Sequence, residues 1–256
     1  MARALIVFVF GLNVGSFLNV VIVRLPEGRS LWGPRSACPR CRAPIAWYDN
    51  LPLLSFALLG GRCRACRTPI SWRYPIVELA TAILWVVAYE MFGLSPTFFV
   101  ALVFLSALIV ITAIDLVHRI IPNVITLPGI VVGIVANLAT GRVSWLESLM
   151  GVAIGGALFA AIILVSYVFY PDGGGMGLGD LKLAAMFGAF LGWKVMLAAV
   201  FVAIMVGGIA AGCLLASGKV GRRYPMPFGP FLALGGAIGL LWGERLVRWY
   251  LNGFQI

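Results

Sequence analysis

Charge is scarce in this chain. Asp, Glu, Lys and Arg make up 11% of its 256 residues against 62% hydrophobic, and the mean hydropathy is +1.03. A soluble globular domain carries roughly 25% charge, so that class is excluded. A cleavable signal peptide is absent by this reading. The stretch "ALIVFVFGLNVGSFLNVVIV" (residues 4–23) is too long for a signal core, lacks a small-residue cleavage site, and reads as a first span. No nucleic-acid module surrounds the arginines, so the net charge of +10 is ascribed to basic loops facing anionic lipid rather than to DNA or RNA. No G-x-G-x-x-G unit follows a strand, which excludes a Rossmann-type cofactor site. A transporter is disfavoured too, because no inverted repeat and no pair of helices broken at the midplane is evident.

What is present is a series of apolar runs. A span needs about 17–25 apolar residues. The pattern predicts spans at 3–23, 75–92, 97–116, 120–139, 147–170, 181–192, 195–217 and 228–250, the sixth being short enough to be a half-helix. Residues 24–74 are different material, with four paired cysteines, nine arginines and many prolines and glycines. The expected fold is an all-α polytopic membrane protein of about eight transmembrane helices. A small cytoplasmic four-cysteine, zinc-ribbon-like domain is inserted between helices 1 and 2. The expected domains are residues 1–23, 24–74 and 75–256. Charge supports the count: alternating eight spans puts fourteen of nineteen basic residues on one side, including all nine of the cysteine domain plus Arg119, Lys182, Lys219, Arg222 and Arg223. That side is cytoplasmic by the positive-inside rule.

The tightest spacing belongs to "CPRC" (Cys38, Cys41) and "CRAC" (Cys63, Cys66). Two C-x2-C knuckles each offer two thiolates to one tetrahedral ion, so zinc in a structural role is expected. Two disulfides are the rival, but a cytoplasmic location keeps thiols reduced. Cys213, alone in an apolar span, reads as a small buried hydrophobe.

Nine acids remain to be placed, and most fall in loops. Asp115 does not. It closes the third span with apolar neighbours on both sides, and carboxylates in that position are functional hypotheses by default. Asp180 follows "GGGMGLG" at the mouth of the sixth segment, at the same depth by the topology above. Two carboxylates at one depth point to aspartyl-protease chemistry, in which one is ionised and the other protonated. Helix ends assign Asp180, before a helix, as base and Asp115, near a helix C-terminus, as acid. Asp180 as a helix cap is compatible with this role. Lys182 is expected to snorkel to headgroups, His118 to be an interfacial polar group, and Asp172 to be exposed in a loop. A zinc-ribbon scaffold would leave the carboxylate pair without purpose.

At these residues the chain resembles a known family. "GMGLGDLK" is similar to the G-x-G-D motif of intramembrane aspartyl proteases, and "DLVHRIIPN" to the D-x5-I-P-[DN] segment of their bacterial type IV prepilin peptidase branch. The resemblance extends over "GSFLNVVIVRLP", the paired knuckles, "NLPLLSF", "SWRYPIVEL" and "PMPFGPFLALGG". It implies a bifunctional bacterial inner-membrane enzyme. Such an enzyme cuts basic leaders from prepilins and type II secretion pseudopilins after a glycine, on the cytoplasmic side, then methylates the new N-terminal amine with S-adenosylmethionine. By resemblance the catalytic aspartates fall on Asp115 and Asp180 and the metal ligands on Cys38, Cys41, Cys63 and Cys66. Asn123 stands where many members carry Asp, and little consequence is expected. Glu78, about one turn into the second span from Arg73, is the acid expected to hold the substrate amine or the sulfonium; a partnership with an arginine is the competing reading. Asn13, Ser16 and Asn19 would line the same cavity or bond neighbouring helices. Small-residue pairs Gly11/Gly15, Gly151/Gly155 and Gly208/Gly212 would pack helices of this chain or the substrate's helix.

Overall fold

The computed structural model describes residues 1–33, 35–169, 176–218 and 226–253. The elements are α1 Ala2–Arg24, α2 Leu54–Leu58, α3 Arg73–Phe92, α4 Pro96–His118, α5 Asn123–Thr140, α6 Trp145–Phe169, α7 Leu178–Ala216 and α8 Gly229–Asn252, with a short 3-10 turn at Trp47–Asn50. All except α2 and the 3-10 turn are long and apolar enough to cross a membrane, which makes this a multi-pass membrane protein. Asp172, Lys219, Arg222 and Arg223 lie outside the described residues. The chain forms two compact units, residues 1–110 and 111–256, with the boundary inside α4.

Helix ends follow local chemistry. Pro96 opens α4 behind Ser95, whose Oγ accepts from the Phe98 amide at 3.3 Å. Gly141 ends α5 in the left-handed region (φ 64°, ψ 12°), where its amide bonds Asn137 O.

In the first unit α1 and α3 run antiparallel along a small-residue seam. A Cβ on Gly11 would come within 2.7 Å of Ala82 Cα, and one on Gly15 within 2.7 Å of Glu78 Cα. Dispersion between closely approached backbones replaces the hydrophobic drive that lipid cannot supply. Trp85 Nε1 donates to Ser106 Oγ at 3.2 Å, tying α3 to α4.

In the second unit α7 is the centre. Its 39 residues would extend about 58 Å if straight, nearly twice the hydrocarbon thickness of about 30 Å. It is not straight, because Gly192 leaves the helical region (φ 73°, ψ 166°), a conformation open only to glycine. The neighbours of α8 show that the chain reverses there. Gly236 faces Phe187 and Gly239 faces Leu191, so α8 runs parallel to residues 178–191. Gly243 then faces Val195, Gly235 faces Ala199 and Ala203, and Gly207 faces Phe228 and Phe231, so α8 runs antiparallel to residues 193–216. α7 is therefore a hairpin of two helices, and the short sixth segment is a separate arm about 21 Å long.

That arm is enclosed. Every residue from Leu183 to Leu191 is buried, as expected of a helix covered on all sides. Gly151 and Gly155 of α6 lie against Gly188 and Ala184, while Gly129 and Gly133 of α5 lie against Met186 and Phe190. Of the small-residue pairs singled out in the sequence, Gly11/Gly15 and Gly151/Gly155 pack helices of this chain, and Gly208/Gly212 face open space. The break at Gly192 strips the last carbonyls of the arm of their helical partners. Asn137 supplies them: its Nδ2 donates to Ala189 O at 2.8 Å and Phe190 O at 3.2 Å, and lies 2.9 Å from Ser148 Oγ. Asn137→Leu should therefore cost about 1–3 kcal/mol, measured as a lower unfolding midpoint in detergent.

Candidate active site

Asp115 and Asp180 meet at one end of the second unit. The C-terminus of α4 and the N-termini of α5, the α7 arm and α8 gather there. Asp115 lies three residues before the end of α4 and is 5% exposed; Asp180 lies in the first turn of α7 and is 9% exposed. Their segments touch: a Cβ on Gly179, beside Asp180, would meet Ile121, six residues beyond Asp115. Among the described residues neither forms an ion pair.

Each carboxylate is held by one backbone amide. Gly177 N donates to Asp180 Oδ2 at 3.2 Å, and the Asp180 amide returns a bond to Gly177 O at 3.1 Å, which makes a capping arrangement. Gly229 N, the first residue of α8, donates to Asp115 Oδ2 at 3.0 Å. This second bond corrects the helix-end assignment. Asp115 is near its own helix C-terminus, but its carboxylate rests on the N-terminus of another helix, where the dipole favours an anion. Both acids therefore face helix N-termini, and helix ends no longer distinguish acid from base.

Close packing fixes the frame. A Cβ on Gly179 would lie 2.9 Å from Ile121 Cβ, so the second glycine of the G-x-G-D motif is small because the I-P segment lies against it. A Cβ on Gly229 would lie 2.6 Å from Asp115 Oδ2. Lys182 Nζ donates to Asn123 Oδ1 at 2.8 Å, joining the α7 arm to α5. Asn123 thus has a defined partner, which Asp at that position would also satisfy. His118 is exposed. Gly229 is the residue that sequence reasoning missed. It stands in the quoted "PMPFGPFLALGG", but nothing local ties it to Asp115.

The first unit holds the second cluster. Cys38, Cys41, Cys63 and Cys66 bring their sulfurs within 4.8 Å of one another, and Cys38 Sγ lies 3.8 Å from Cys66 Sγ. Zinc–sulfur bonds of about 2.3 Å give a tetrahedral edge of about 3.8 Å, so the thiol set fits such an ion. All four are free thiols, which removes the disulfide alternative. The two knuckles are copies: "CPRCRAPIAW" and "CRACRTPISW" repeat at an offset of 25 residues. Cys38 N donates to Ala43 O and Cys63 N to Thr68 O, both at 2.9 Å, and Arg42 (φ 58°) and Arg67 (φ 57°) make the same left-handed turn. Hydrogen bonding to Thr68 holds the Cys66 thiol below its usual range, toward the thiolate a metal requires. Arg64 clamps Asp49 through two bonds of 2.7 and 2.6 Å and keeps that carboxyl below its usual range. Cys213 is exposed on α7, not buried as expected.

Glu78, 7% exposed in α3, is paired with no arginine among the described residues. Its Oε2 accepts from the Leu53 amide at 2.9 Å.

Fold and site together define a multi-pass membrane protein with a buried carboxylate pair and a four-thiol cluster whose geometry could hold a metal ion. The comparisons place it more narrowly. Residues 9–92 match the bacterial peptidase A24 N-terminal domain, and residues 102–212 match the type IV leader peptidase family. A prepilin leader peptidase/N-methyltransferase of Aeromonas salmonicida is 39% identical, with 96% of this chain and 93% of that protein covered. Proteins of the same name from Pseudomonas aeruginosa and Bacillus subtilis are 36% and 35% identical; the alignments cover 100% and 96% of this chain and 96% and 97% of those proteins. No solved structure matches. The chain belongs to the type IV leader peptidase family.

Proposed function

We propose that this protein cuts the basic leader from type IV prepilins and type II secretion pseudopilins after a glycine, and then methylates the new N-terminal amine. The observation that carries the reading is the pair of buried carboxylates, each on a backbone amide, at one end of the second unit. One carboxylate is ionised and takes a proton from water, whose oxygen attacks the scissile carbonyl carbon. The other is protonated and donates to the carbonyl oxygen, stabilising the tetrahedral intermediate. Collapse of that intermediate breaks the C–N bond, and the amine leaves with a proton from the pair. The basic loops favour a cytoplasmic location for this end in the inner membrane. They also repel a basic leader, so recognition rests on backbone pairing and on the substrate's apolar helix rather than on charge.

S-adenosylmethionine supplies a methyl group on a sulfonium when bound. Glu78 and its neighbours would hold the donor or the freed amine, and the bound donor would supply its methyl to that amine, whose proton would pass to solvent. A cationic donor needs acceptors without a resident cation, and Glu78 with its neighbours fits that need. Zinc in the four-cysteine cluster is structural in this reading, because four thiolates leave no open coordination position. Cys63→Ser should abolish bound metal, read as zinc per chain after purification. It should also make residues 35–72 sensitive to protease, since so small a domain has little core of its own.

The direct test reconstitutes the protein in liposomes with S-adenosylmethionine and a prepilin carrying Gly at −1 and Phe at +1. Mass spectrometry should find the mature chain with one added methyl group. Intact prepilin alone would contradict the reading.

A further inference from the structure

Resting on the methyl-transfer reading above, we infer that Glu78, Ser16 and Asn19 form the site that holds a primary ammonium for that reaction. The site lies in the first unit and shares no residue with the aspartate pair. The α1–α3 seam sets its geometry. Gly11, Gly15 and Asn19 follow one another every turn on α1, opposite Ala82, Glu78 and Tyr74 of α3. Ser16 and Asn19 are three apart and share a face.

Among the described residues, two acceptors on this seam lack the donor they call for. Asn19 is 2% exposed, and its Nδ2 donates to Gly15 O at 3.3 Å and Tyr74 O at 3.1 Å. Both partners are carbonyls, so the amide cannot be turned round, and its Oδ1 is left buried without a partner. One turn along the seam the Glu78 carboxylate is buried with the Leu53 amide as its partner and, among the described residues, forms no ion pair. A buried carboxylate without a counter-charge is costly, and an orphaned amide oxygen costs about 1–3 kcal/mol. A carboxylate, a hydroxyl oxygen and an amide oxygen present acceptors to a group with three N–H donors and a positive charge, which is R–NH3+.

Two sources offer that group here: the N-terminus freed by cleavage and the α-ammonium of S-adenosylmethionine. The modular division agrees with either source, because the matched N-terminal domain ends at residue 92 and both aspartates lie beyond it. The competing role for Glu78 is purely structural. Leu53 is a non-glycine residue at φ 59°, and Glu78 holds its amide.

Glu78→Gln separates the two roles, since the amide keeps an acceptor for Leu53 and loses the charge. The variant is assayed in liposomes for prepilin cleavage, for methylation of a pre-cleaved pilin, and for binding of tritiated S-adenosylmethionine by equilibrium dialysis. Methylation should fall at least about 30-fold while cleavage stays within about twofold, the loss expected for removing a buried charge partner. Donor binding that falls in step identifies the donor's ammonium. Unchanged donor binding with a raised KM for pre-cleaved pilin identifies the pilin N-terminus. Asn19→Leu removes the orphaned oxygen while leaving Glu78 in place, and should show the same split. Methylation and donor binding both near wild type in Glu78→Gln would overturn the inference. So would parallel loss of cleavage and methylation in both variants, which marks a structural role. A wild-type protein that cuts but never methylates would instead overturn the methyl-transfer reading itself, and this site with it.

Discussion

Asp115→Asn and Asp180→Asn should each slow leader cleavage by at least about 10^3-fold, the middle of the range for groups that move protons in a transition state. Asn is close to isosteric with Asp and still accepts the amide bonds from Gly229 and Gly177. The fold should therefore survive while proton transfer is lost. The effects should also be non-additive, because the pair acts as one unit: the double variant should be no slower than the worse single one. Thermal unfolding of the variants in detergent should stay near the wild-type midpoint, since Asn keeps the amide bond at each site and, among the described residues, neither carboxylate has an ion pair to lose. Rates of prepilin cleavage, followed by gel or mass, give the number.

The second large effect falls on Gly229. Its amide holds Asp115 Oδ2 at 3.0 Å, and an added Cβ would sit 2.6 Å from the same oxygen. Alanine there forces either the carboxylate or the start of α8 to move by a sizeable fraction of an ångström. Misplacement on that scale costs about 10^2-fold in rate, so Gly229→Ala should lose about that much cleavage. Overpacking should lower stability by about 1–3 kcal/mol at most. Gly208→Ala is the matched control, because a Cβ at Gly208 meets nothing within 4 Å. It should cut normally and gain a little stability from better helix propensity. Equal losses in both variants would mean that glycine at 229 serves only the helix.

The spans were legible because lipid imposes length and apolarity on a helix, and these can be read without knowing its neighbours. Every span expected from the sequence has a helix, including the short sixth one, which the charge tally required and Gly192 separates from the seventh. The aspartates were legible for the converse reason: charge is expensive at that depth, so two carboxylates at span ends stand out. What failed was the argument from helix ends, because it considered only the helix that carries each residue. The amide that meets Asp115 is 114 residues away in sequence, and no local pattern encodes that contact. Asn137 was invisible for the same reason, since its partners are carbonyls on an arm two helices later. The knuckle repeat differs. Its 25-residue offset lies in plain sight, but the cysteine spacing alone accounts for a metal, and the repeated Arg, Pro, Ile and Trp add the turn that shapes each half. Glu78 stood out as a membrane acid, yet its partner, the Leu53 amide in the preceding loop, could be found only in three dimensions.

The most direct measurement is made on one preparation of Asp180→Asn in liposomes, given full-length prepilin and, separately, pre-cleaved pilin with S-adenosylmethionine. The expected result is uncut prepilin beside a fully methylated pre-cleaved chain, which assigns cleavage to the aspartate pair and methyl transfer to other residues. Cleavage at near the wild-type rate would contradict the two-carboxylate mechanism and leave Asp180 as the cap of its helix.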